Sequence, residues 1–97
     1  MGAIKTFADK ETEKIFNRQF SRRLPPDIQR VALRKLIYIY MDKAQNLNDL
    51  RVPPSNHLEL LHGDREGQYS IMINDKYRIC FVVWLNGFYD VEIVDYH

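Results

Sequence analysis

At 97 residues, 45% of them hydrophobic and 28% charged, the chain is long enough for one hydrophobic core and too short for two. Its apolar runs fall short of the roughly 18 residues of a membrane span, so no membrane association is expected. A net charge of +1 is too near neutral for a protein that grips free nucleic acid tightly by itself.

The opening "MGAIKT" has the spacing of a lipid-acceptor signal at Gly2 and Thr6. Ile4 and Phe7 read better as core residues of a first strand, and no signal-peptide pattern follows. "ADKETEKIFNRQF" predicts a first helix, capped by Asp9, with Glu11 and Glu13 at its positive end. Thr12, Ile15, Phe16, Gln19 and Phe20 form its expected inward stripe. "RRLPP" breaks this helix, and Pro26-Asp27 opens a second one, where Ile28, Val31, Ala32, Leu36 and Ile39 recur at helical spacing. Leu33, Ile37, Tyr38 and Met41 lie off that stripe, so the second helix has a wide apolar arc and is expected to touch something on both sides.

Charge is unevenly spread. Residues 1–51 hold 11 Lys/Arg against 6 Asp/Glu, while residues 52–97 hold 3 against 7. Arg18, Arg22, Arg23, Arg30, Arg34 and Lys35 face only Asp27 in their stretch, a cluster that attracts nucleic acid or an acidic partner. A solvated helix face is the plainer alternative.

"LRVPPSNH" predicts a loop held extended by Pro53-Pro54. From Leu58 the period becomes two. "HLELLHG" gives a short strand, and "GQYSIMI", "KYRICFVVW" and "FYDVEIVDY" follow, separated by "ND" and "LNG" hairpin signals. The expected architecture is α+β, one domain over residues 1–97, with two N-terminal helices on one face of a mainly antiparallel sheet. Tyr77, Ile79, Phe81 and Val83 should face the helices, and so should Tyr89, Val91 and Ile93 in the last strand. Arg78, Cys80, Glu92, Val94 and Tyr96 then share the uncovered face. An arginine inside "YRICF" is costly unless exposed or paired, a first hint of a site, with a pair to Glu92 across the sheet as the plainer alternative.

The side chains able to act are Glu59, His62, Asp64, Arg65, Arg78, Tyr96 and His97. Each has a plain alternative: Asp64 and Arg65 a turn with a local ion pair, His62 a strand-end surface residue, Tyr96 and His97 an ordinary terminus. His57, His62 and His97 lack metal-ligand spacing, and there is neither a nucleophile elbow nor a phosphate-binding glycine loop, so no metal or cofactor is expected. Cys80, the single cysteine, excludes an internal disulfide and fits a reducing cytoplasm. Together the residues suit cutting of RNA by attack of a ribose 2′-hydroxyl on its own neighbouring phosphate. That reaction needs a base, an acid for the leaving 5′-oxygen, and a fixed cation for the crowded phosphate. Histidine, glutamate and tyrosine can move the protons, arginine on a strand can hold the phosphate, and Tyr96 can stack on a base.

"LHGDREGQYSIMINDKYRICF" followed by "VEIVDYH" resembles the HigB branch of the RelE-like toxins of bacterial toxin–antitoxin systems, and the likeness extends through "IKTFADKETEKIF", "LPPDIQRVALRKL" and "LNDLRVPP". The resemblance implies a microbial-ribonuclease-like fold and a ribosome-dependent messenger-RNA endonuclease that works in the ribosomal A site. It matches Arg78 to the family's phosphate-stabilising arginine and Tyr96 and His97 to its C-terminal active-site pair. His62 and Glu59 complete the working set, with Arg65, Arg22 and Arg23 as further substrate contacts. It further implies a cytoplasmic complex with a HigA-type helix-turn-helix antitoxin, expected on Tyr38, Met41, Arg30 and Arg34, with DNA met only through that antitoxin. Two positions depart from the pattern: His62 stands where several members have a catalytic lysine, and Glu59 where some have histidine. A group of reference pKa about 6.5 thus replaces a constant cation. That keeps open a second reading, a ribosome-binding or antitoxin-bound regulatory module with the chemistry lost. A third, action on gyrase as in other relatives of this fold, is at odds with the complete Arg78, Tyr96 and His97 set.

Overall fold

The computed structural model of the chain describes residues 4–40, 47–51, 53–85 and 87–95. Its first helix starts where the sequence says it should. Asp9 is extended and its carboxylate accepts the Thr12 amide at 2.7 Å, which opens α1 (Lys10–Phe16). The helix stops sooner than the apolar spacing predicts. Arg18 takes a left-handed conformation with φ 64, its amide donates to the Ile15 carbonyl, and the Gln19 amide donates to the Lys14 carbonyl. This is the paired bonding of a Schellman ending, with arginine where glycine is usual. Gln19 and Phe20 therefore leave the inward stripe and are exposed, Phe20 by 63%.

The linker to the second helix is fastened by a buried glutamine. Gln29 accepts the Ser21 amide at 3.1 Å and donates to the Ser21 and Leu24 carbonyls, both at 2.8 Å. Pro26 then opens α2 (Pro26–Tyr40), whose Ile28, Ala32 and Leu36 are buried in the core. The stretch "LRVPPSNH", expected to be a loop held extended, instead takes part in 3-10 turns at Leu47–Arg51 and Pro54–Asn56. A proline suits the first position of such a turn, and Leu50 is drawn fully into the core.

Four strands follow: β1 (Glu59–Leu60), β2 (Tyr69–Met72), β3 (Tyr77–Trp84) and β4 (Gly87–Asp95), antiparallel and in chain order across the sheet. The chain is thus an α+β fold of two helices and a mainly antiparallel sheet. The expected first strand is reduced to isolated parallel bridges from Ile4 to Phe88 and Phe7 to Val91 along β4. Ile71, Ile79, Phe81, Phe88, Val91 and Ile93 form the sheet side of the core, against Ile15 and the buried face of α2.

Two facial assignments change. Register slips between Cys80 and Val82, where β4 accommodates an extra residue at Asp90, φ 53. Tyr89 consequently sits opposite Val82 on the face away from the helices, its ring against Trp84, while Phe88 takes the core position. The second face is also not open: Cys80 and Ser70 are fully buried there, Leu61 nearly so, and Arg78 is only 9% exposed. The segment from His57 to Gln68 contributes to that cover, through the His57 carbonyl on Arg78 and the Arg65 side chain on Glu92.

Candidate active site

Arg78 lies mid-strand in β3, opposite Met72 of β2 and Val94 of β4. Alternation puts its side chain on the second face, with Ser70 and Glu59 of the next two strands. Its Nε donates to the Ser70 hydroxyl at 2.7 Å and its Nη2 to the His57 carbonyl at 2.7 Å. The Glu59 carboxylate stands 3.5 Å from the same Nη2. The guanidinium is thereby fixed from two sides by neutral acceptors and from a third by an exposed carboxylate. His57 reaches it because it closes the Pro54–Asn56 turn in a left-handed conformation, φ 46, which turns its carbonyl toward the sheet. A pocket of about 290 Å³ opens here, lined by His57, Leu58, Glu59, Met72 and Arg78. It combines a rigid, permanently charged fork with a carboxylate able to accept a proton, an arrangement suited to binding an oxyanion and moving a proton beside it.

The ion pairs differ from the expected ones. Arg65 takes Glu92, at 3.2 Å, and also donates to the Gln68 side chain at 3.0 Å. Glu92 is therefore Arg65's partner and Glu59 is Arg78's. The local pair of Asp64 with Arg65 gives way to this longer reach, although Gly63–Arg65 does form the expected turn. Beneath these groups lies Cys80, whose thiol burial pushes above its usual range, with Arg65 and Arg78 pulling the other way and Glu92 adding to the rise.

Of the residues singled out in the sequence, the fold brings Arg78 and Glu59 together. His62 is exposed at the start of the Gly63–Arg65 turn and is not among the residues lining the Arg78 pocket. Arg22 and Arg23 are exposed in the interhelical linker, and Arg23 borders a different pocket with Asp9, Glu11 and Tyr77. Arg30 and Arg34 are exposed on α2: Arg30 flanks a groove beside Phe20 and Leu33, and Arg34 shares another pocket with the half-buried Tyr38. Met41, Tyr96 and His97 lie outside the described residues. Sequence reasoning missed Ser70 and the His57 carbonyl. A serine in the apolar run "YSIMI" was a readable sign of a buried polar partner; a backbone carbonyl leaves no sign in the sequence.

The model of the family of RelE-like toxins of the type II toxin–antitoxin system HigB matches residues 5–97. Toxin HigB-1 of Vibrio cholerae serotype O1 is 39% identical over 82 residues, 84% of this chain and 83% of that protein. An uncharacterized protein of Haemophilus influenzae is 42% identical over 59 residues, 61% of this chain and 56% of that protein.

Proposed function

This chain belongs to the HigB-like toxins, the RelE-like toxins of type II toxin–antitoxin systems, and from that membership we propose that it is an endoribonuclease that cuts messenger RNA on the ribosome. The observation that carries this reading is the buried Arg78 guanidinium, held by Ser70 and His57 on a pocket whose rim carries Glu59. In the proposed reaction the ribose 2′-oxygen forms a bond to the adjacent phosphorus, and the bond to the 5′-oxygen breaks. A base takes the 2′-hydroxyl proton and an acid supplies one to the leaving oxygen, giving a 2′,3′-cyclic phosphate and a 5′-hydroxyl. Arg78 sits where charge accumulates on the phosphoryl oxygens, and because it is already immobilised it needs little reorganisation as that charge grows. The proton carriers are drawn from Glu59, His62, Tyr96 and His97, with Tyr96 also stacking on a base. Arg65 meets the nucleotide next to the cut. Arg22 and Arg23, in the interhelical linker, serve ribosomal or messenger phosphates beyond the cut.

Membership of a type II family implies an antitoxin partner. We assign it as a HigA-type helix-turn-helix protein that docks against α2 at Arg30, Arg34 and Tyr38, with Met41 as a further contact, and brings the toxin to DNA only indirectly. The reading places the protein in the cytoplasm; among the described residues no helix is long and apolar enough to cross a membrane. A second reading, a ribosome-binding or regulatory module without cleavage, draws on the Glu59 carboxylate already seated on Arg78 and on His62 standing apart from the pocket.

Primer extension on a reporter message separates the two. Wild type, Arg78→Ala and a chain lacking His97 are compared on programmed ribosomes and on naked RNA. Cuts within codons that require ribosomes and vanish in both variants are expected. Translation arrest without cuts, or cuts that persist in Arg78→Ala, would sink the endonuclease reading.

A further inference from the structure

The residues just before His57 line a second, basic pocket. Lys35 of α2 donates from Nζ to the Oδ1 of Asn56, and the buried Asn56 donates in turn to the Leu50 carbonyl at 3.1 Å. Arg34 stands beside it, and among the described residues no carboxylate pairs with either cation. Burial, with some help from Arg34, pushes the Lys35 ammonium below the usual lysine range. A half-buried ammonium is costly, and an anion brought to it offsets that cost. The two cations meet in a pocket of about 230 Å³ whose walls include Tyr38, Pro53 and Ser55. Ser55 and Tyr38, both lining residues, each carry a hydroxyl able to donate.

Its position matters as much as its charge. Ser55 and Asn56 line this pocket, while the next two residues, His57 and Leu58, line the pocket of Arg78. The two pockets are thus lined by consecutive pairs of residues from one four-residue stretch. We propose that Arg34 and Lys35 form a second phosphate seat, which takes a phosphodiester of the same RNA strand whose scissile phosphate rests on Arg78. The inference rests on the endonuclease reading. Arg34 and Lys35 bind the phosphoryl oxygens, and the Tyr38 and Pro53 walls accept the attached ribose or base. The seat fixes the strand's register on the toxin without reading its sequence, since phosphate contacts position and base contacts specify.

A 2′-O-methyl oligoribonucleotide, which lacks the attacking hydroxyl, tests this with no cleavage in the readout. Its affinity for the full chain is measured by fluorescence anisotropy across a range of salt concentrations. Lys35→Gln and Arg34→Gln should each weaken binding by about fivefold to tenfold and lower the salt slope by about one, whereas Lys35→Arg should restore both. Far-UV circular dichroism confirms that the variants are folded. Inorganic phosphate, compared with chloride at equal ionic strength, should raise the melting temperature of Arg78→Ala but not of the Arg78→Ala/Lys35→Gln double variant. If Arg78→Ala lowers the oligonucleotide's salt slope and Lys35→Gln does not, the second seat is wrong and the cleavage reading stands. If the reverse holds, the seat is real and the phosphate contact assigned to Arg78 fails. Protection by free phosphate without any loss of RNA affinity in Lys35→Gln would overturn the RNA assignment. So would Lys35→Gln leaving RNA binding intact while releasing the antitoxin.

Discussion

Ser70 should be worth about as much to Arg78 as any residue in the protein. Its hydroxyl is fully buried and accepts the Arg78 Nε–H at 2.7 Å, and the Arg78 side chain is itself only 11% exposed. Ser70→Ala removes almost no apolar surface, so the change isolates one charge-assisted bond. Bonds of this kind contribute about 1.5–3 kcal/mol net, and an unpaired buried donor remains once the acceptor is gone. The expected loss is about 2 kcal/mol, or about 10 °C in melting temperature for a domain of this size. Arg78→Met removes the charge instead, and in that background Ser70→Ala should cost only a few tenths of a kcal/mol. Urea denaturation followed by circular dichroism gives the four free energies of the cycle, with unchanged slopes showing that the denatured state is not what moved. A coupling of about 2 kcal/mol is expected. Additivity within about 0.4 kcal/mol would refute the clamp, because independent sites behave that way. If Arg78 acts on the phosphate as proposed, Ser70→Ala should also slow cleavage in proportion to the orientation it loses.

Arg18 and His57 both hold left-handed backbone, with φ 64 and φ 46. Arg18→Gly and His57→Gly should therefore be neutral or stabilising by up to about 1 kcal/mol in urea melts, whereas glycine in a helix interior would cost about that much. A loss of about 1 kcal/mol at Arg18 would restore the longer first helix. The Ser21 hydroxyl, 2.6 Å from Glu11 Oε1, is the main cause holding the Glu11 carboxyl below its usual range, aided by Lys14 and Arg23. A depressed carboxyl contributes stability that is fully present above its unfolded pKa of about 4.3 and is lost as pH falls through the folded value. Ser21→Ala should flatten the acid limb of the stability profile, and an unchanged limb would count against the bond. Cys80, buried and raised, should react with a disulfide reagent only as fast as the fold opens; rapid stoichiometric labelling of the native protein would contradict its placement.

Local chemistry made the helix starts readable, and non-local chemistry hid much of the rest. Asp9 and Pro26 announce α1 and α2 because capping and proline geometry act within one turn. The end of α1 was not readable, since arginine carries none of the preference for left-handed backbone that glycine would have shown. Alternation correctly placed Ile79, Phe81, Val91 and Ile93 in the core, but it cannot see an inserted residue. The irregularity at Asp90 thus moved Tyr89 to the opposite face. Arg78 stood out because an arginine in an apolar strand demands a partner. Which partner it finds depends on the turn at Pro54–Asn56, and the prolines of that turn were read as extended chain.

That turn makes the arginine a fixed, buried group rather than a loose surface residue. Asn56 is anchored to the Leu50 carbonyl and to Lys35, which fixes where the next residue must start. His57 then bends into left-handed backbone and presents its carbonyl to Arg78, and two residues later Glu59 enters β1 beside the same guanidinium. A strand alone would have left Arg78 free to sample several rotamers, at a cost of up to about 2 kcal/mol whenever a ligand had to select one. With Ser70 on one side and His57 on the other, that ordering is completed during folding. Glu59, by contrast, meets the guanidinium with an exposed carboxylate, a partner that an incoming anion would have to displace.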